Sequence, residues 1–120
     1  MEIIEHKINL IKVAELRSME EIISNLEDAM QIMGDIYYQG YDAIVLHESS
    51  ITPIFFELKS KMAGEILQKF SNYRMRLVIL GDWTAISSKS LSDFIRESNK
   101  GKLIYFSDSI NSIKSHWSEK

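Results

Sequence analysis

Residues 44–82, IVLHESSITPIFFELKSKMAGEILQKFSNYRMRLVILGD, constrain the fold more than any other stretch, because they read as strand, helix, strand. The apolar run 43–46 ends at His47-Glu48, a long amphipathic segment follows, and a second apolar run, 77–80, stops at Gly81-Asp82. Short continuous apolar runs suit strands covered on both faces, and a helical crossover between two of them makes them parallel. An α/β fold with a mainly parallel sheet is the expectation.

The flanking segments extend this pattern. Ile3-Ile4 and residues 10–14 read as two short strands joined by a polar turn at residues 6–9, an N-terminal hairpin. Ser24-Asn25-Leu26-Glu27 has the spacing of a capping box, and Leu26, Ala29, Met30, Met33, Ile36 and Tyr37 then share one side of a helical wheel. Gly40 is the expected stop. Thr52-Pro53 starts the next helix, cap first and proline at the first helical position. Lys59 interrupts its apolar arc, so a break is expected at residues 59–61, with Ser60 capping the second piece. A capping sequence at Ser90-Leu91-Ser92-Asp93, a helix stop at Asn99-Lys100-Gly101, a strand at 102–106 and a last helix carrying Ile110, Ile113 and Trp117 complete the order. The expected architecture is a single domain over residues 1–120. It is an open mixed sheet with an N-terminal hairpin, parallel core strands near 43–47, 76–80 and 102–106, and four helices packed on it.

Composition narrows the classes of function. The chain of 120 residues has no cysteine, which excludes thiol chemistry and disulfides. No apolar run approaches the roughly 18–20 residues of a membrane span, and the first ten residues carry acidic groups without a long apolar core. A cytoplasmic protein with no membrane association is expected. The net charge is −3 and the basic residues are scattered, so no nucleic-acid surface is expected. His6, His47 and His116 lack metal-ligand spacing, and neither a metal nor another cofactor is expected.

Few residues invite chemistry. His47-Glu48 ends a parallel strand, where open α/β sheets place ligands, and an imidazole beside a carboxylate suits acid–base work. Neighbours on a strand point to opposite faces, so only one of the two can enter a given pocket. Asp82, at the next strand end, either meets a polar ligand or caps a loop. Glu65 is a candidate ligand contact, although Glu65 with Lys69 and Glu57 with Lys61 also have the favourable order for helical ion pairs. Gly64, inside a helix, costs about 1 kcal/mol relative to alanine, which suggests close approach of another element, a second subunit or a ligand.

Residues 52–101 carry the strings AGEILQKF, NYR and SLSDFIRESNKG, which resemble the bacterial family known as domain of unknown function 4180. That resemblance covers nearly the whole chain and implies no activity. The order hairpin–αβαβαβα also resembles the STAS domain of sulfate transporters and anti-sigma-factor antagonists. In those antagonists a serine at a helix start is phosphorylated by a partner kinase, and the position here that corresponds is Ser60, flanked by Lys59 and Lys61 in place of the acidic residue and glycine. What the resemblance implies is a non-enzymatic regulatory module that binds an unidentified protein partner, with a homodimer possible, and with Ser60 and Gly64 as partner-binding residues. The alternative is a small-molecule-binding protein or enzyme working at the strand ends through His47, Glu48 and Asp82.

Overall fold

In a computed structural model that describes residues 1–117, five strands form one sheet in the order β1-β2-β3-β4-β5. β1 (Glu2–Ile8) and β2 (Ile11–Arg17) are an antiparallel hairpin, and β3 (Ala43–His47), β4 (Arg76–Leu80) and β5 (Ile104–Ser107) run parallel to β2. Four helices accompany them: α1 (Leu26–Tyr38), α2 (Met62–Asn72), α3 (Lys89–Asn99) and α4 (Ile110–His116). The mixed sheet with a parallel core is the one the apolar runs imply.

Sequential strand order decides where the helices go. Each new parallel strand is added on the same side of the last, so right-handed crossovers carry α1, α2 and α3 to one face. Alternate strand residues Ala14, Leu16, Ile44, Leu46, Leu77, Ile79, Ile104 and Phe106 meet those helices through Ala29, Met33, Ile36, Ala63, Ile66, Leu67, Phe70 and Ile95. Among the described residues the opposite face has only α4, and Ile113 with the following Trp117 covers Ile8, Val13, Ala43, Val45, Val78 and Leu80. Three helices thus cover one face, and the seven-residue α4 covers part of the other.

The hairpin differs from the sequence expectation. Its strands are seven residues long, and the turn is Asn9-Leu10, not residues 6–9. The polar residues His6 and Lys7 belong to an edge strand, so their polarity does not mark a turn. Asn9 and Leu10 both have positive φ, 50° and 72°, as a two-residue hairpin loop requires. Leucine resists that conformation and this one is 89% exposed, so it gains no burial in return. Leu10→Gly is expected to stabilise the protein by about 1 kcal/mol, read as a higher urea midpoint; a lower midpoint would mean that Leu10 is held by a contact.

Capping follows local chemistry with small shifts. Asn25, not Ser24, caps α1 by accepting from the Asp28 amide, and Asp28 accepts from the Ser24 amide in return. Gly40, at φ 92°, follows the end of α1. The expected break at residues 59–61 occurs: short 3-10 turns at Pro53–Phe56 and Leu58–Ser60 precede Lys61, whose φ is 68°, and α2 begins at Met62. Ser88, two residues before the expected capping sequence, caps α3. β5 begins at Ile104, where pairing with Leu77 starts, rather than at residue 102.

Candidate functional site

On the sparsely covered face, α4 runs from Ile110, after β5, to His116, and the next residue, Trp117, lies beside the hairpin turn, where the Asn9 side chain donates to the Trp117 carbonyl. The Arg76 guanidinium, at the start of β4, lies over the Trp117 ring at 4.9 Å. The helix therefore ends near the amino-terminal ends of the parallel strands and leaves the carboxyl ends of β2 and β3 without a helix. Glu15, Arg17 and His47 occupy that corner. Strand pairing sets Glu15 opposite Ile4 on one side and Val45 on the other. His6 and His47, each two residues along a neighbouring strand, thus reach the same face diagonally.

Glu15 is only 2% exposed, an unusual place for a carboxylate. His6 Nε2 lies 2.8 Å from Oε1, while His47 Nε2 lies 2.7 Å and Arg17 Nε 3.1 Å from Oε2. Burial pushes this carboxyl upward, but hydrogen bonds from His6, His47 and Arg17, with the charge of Arg17, outweigh it and bring the pKa to about 2. The group is an anion near neutral pH and can only accept. Each imidazole therefore donates its Nε2–H, and Nδ1 of both rings has no hydrogen-bond partner among the described residues. A carboxylate that fixes an imidazole in one tautomer leaves the other nitrogen as an acceptor for a proton. Beside the cluster an open groove of about 610 Å³ is lined by Met1, Glu2, Arg17, Ser18, His47 and Ser49 among others.

The structure separates His47 from the other strand-end candidates. Glu48 and Asp82 line a different crevice, of about 670 Å³, together with Phe56 and Trp83. A side chain at Gly81 would put Cβ 2.5 Å from Glu48 Oε1 and 2.8 Å from the Trp83 ring, so these side chains would have to shift to admit it. Asp82 accepts from both the amide and the hydroxyl of Thr84, which lowers its pKa and makes it a loop cap. Alternation along the chain, which places His47 and Glu48 apart, is the cause of the separation.

The helical candidates stand elsewhere. Ser60 is exposed; its Oγ accepts from the Met62 amide and donates to the Ile54 carbonyl. Glu65 and Gly64 line an open groove with Leu26, Leu58 and Lys61. The helical ion pairs Glu65–Lys69 and Glu57–Lys61 do not form among the described residues; the pairs there are Lys89–Asp93, Arg96–Asp93 and Lys100–Glu97. A Cβ at Gly64 would have nothing within 4 Å among the described residues, so a methyl group fits there without a clash. Gly64→Ala is therefore expected to stabilise the isolated chain by about 1 kcal/mol through helix propensity, measured by denaturant unfolding. Destabilisation would reveal a contact made only with a second molecule.

Glu15, His6 and Arg17 were not among the sequence candidates. A strand ending at residue 14 stopped one residue short of Glu15, and a turn at residues 6–9 removed His6 from the sheet. The available signal was Val13-Ala14-Glu15-Leu16, a carboxylate within an apolar strand. Among the described residues no group of three or more His, Asp or Glu side chains is placed to hold a metal ion, and no helix is long and apolar enough to cross a membrane. The family model described as "Domain of unknown function (DUF4180)" matches residues 8–116. No curated protein and no solved structure matches.

Proposed function

The chain belongs to the DUF4180 family, a membership that assigns no chemistry, and from the site geometry we propose a small-molecule-binding protein whose site performs acid–base work at the carboxyl ends of β2 and β3. The observation that carries this reading is the buried Glu15 carboxylate holding two imidazoles and a guanidinium at one uncovered corner. In this reading His47 Nδ1 takes a proton from a bound ligand while its Nε2–H stays hydrogen-bonded to Glu15, which remains ionised. The open sheet corner supplies access, and strand ends are where α/β proteins commonly bind ligands.

Ring ¹⁵N spectroscopy tests it. Neutral His6 and His47 should both be Nε2–H tautomers, and compounds from a small-molecule screen should shift His47 resonances before any others. Nδ1–H tautomers, or a screen whose hits leave His47 unmoved, would remove the reading.

A second reading is favoured by the exposure of Ser60 at the start of α2 beside Lys59 and Lys61. There a phosphate would meet favourable charge and could switch binding to a protein partner, as in a STAS-like regulatory module. Intact mass of protein from its native cytoplasm, with partner binding by Ser60→Asp and Ser60→Ala, separates the two. An unmodified Ser60 and binding indifferent to both changes leave this serine as a cap.

A further inference from the structure

The same corner indicates which ligands it recognises, an inference that rests on the acid–base reading for the role of His47 but not for the binding itself. Arg17 is tied to Glu15 through Nε alone. Its two Nη groups have no partner among the described residues, and the side chain as a whole is 58% exposed. Arginine offers its donors as a rigid planar fork, which matches two oxygens of a carboxylate or phosphoryl group. One arm of that fork fixed on a buried anion leaves the remaining donors preoriented, so less side-chain freedom is lost on binding.

The groove wall supplies the rest of the set. Arg17, Ser18, Ser49 and His47 line it together. Ser49 offers a hydroxyl donor; the Ser18 hydroxyl accepts from the Glu20 amide and retains its proton for donation. His47 lines the same groove, and Nδ1 is its nitrogen not used on Glu15. Glu15 does not compete for the ligand, because its oxygens are occupied by His6, His47 and Arg17. Glu2 is the acidic lining residue, opposite Arg17 in the strand register and without an ion pair to it among the described residues.

We infer that this groove binds small anionic molecules, the Arg17 Nη fork gripping a carboxylate or phosphoryl group while His47 faces the adjoining part of the ligand. Glu2 opposes that anion and sets a limit on affinity. The ligand is thus an organic acid or a phosphate ester of small size, not a cation and not a polymer.

Titration of the whole chain with sodium phosphate and, separately, sodium acetate, monitored by the Arg17 side-chain and His47 NMR signals, tests this inference. Sodium chloride at matched ionic strength is the control. Saturable shifts with one or both anions, absent with chloride, are expected; the anion that saturates identifies the group preferred. Arg17→Lys, which keeps the charge and loses the fork, should weaken binding several-fold, and Glu2→Gln should tighten it. Thermal melts of both variants establish that they are folded. Shifts no larger than those of chloride, or affinity unchanged in Arg17→Lys, would overturn the inference. Anion binding with Nδ1–H tautomers would preserve it and remove the acid–base role of His47; Nε2–H tautomers without anion binding would do the reverse.

Discussion

Glu15→Ala is expected to destabilise the protein by about 3 kcal/mol, more than any other single change in the cluster. The change removes a carboxylate 2% exposed that accepts from three side chains, and it leaves a void under them. The cost falls short of a fully interior ion pair because His6 and His47 are 28% and 33% exposed and regain water. Glu15→Gln keeps the shape but brings an amide N–H₂ against a donor, and should cost about 1–2 kcal/mol. Arg17→Gln should cost under about 1 kcal/mol, since that side chain is largely solvated. Urea unfolding of the three variants gives the ranking. A loss for Glu15→Ala no larger than for Arg17→Gln would mean that the carboxylate does not organise the corner.

Acid should remove the same contribution without a mutation. The Glu15 pKa is about 2 in the folded chain against an ordinary 4.5. Because the folded value is the lower one, its stabilisation is fully present above the ordinary value. It declines as pH falls below about 4.5 and is gone once pH passes below about 2. The difference corresponds to about 3 kcal/mol. Asp82 and Asp93, whose pKa values are also lowered, act in the same direction but are solvent-exposed at the carboxyl groups. Unfolding of the wild type and of Glu15→Gln, compared between about pH 6 and about pH 3, isolates the Glu15 part. The wild type should lose more stability than the variant, and equal losses would assign the acid response to the other carboxylates.

The parallel core was legible because its strands are covered on both faces by apolar neighbours and so appear as unbroken runs. The break before α2 was legible too, since Lys59 falls within an apolar arc and Ser60 follows. The corner around Glu15 was not. Its members lie on three strands, at residues 6, 15, 17 and 47, and only the register Glu15–Ile4 and Glu15–Val45 brings them together. Nor does the sequence state that α4 is too short to cover that corner. His47 stood out by its position at a strand end, yet its carboxylate partner proved to be Glu15 across the sheet, not the adjacent Glu48. Gly64 suggested close approach of another element, a second subunit or a ligand; among the described residues a Cβ there would have nothing within 4 Å, which leaves the second subunit and the ligand as occupants to test.

Hydrogen bonds from His6, His47 and Arg17 dominate over burial at Glu15 and hold it as an anion at the carboxyl ends of β2 and β3. Following the ¹³C resonance of the Glu15 side-chain carboxyl through an acid titration tests that balance directly. A midpoint at about 2 is the predicted result. A midpoint at or above the ordinary 4.5 would show burial prevailing over the donors, and would contradict the anchored cluster on which the proposed site depends.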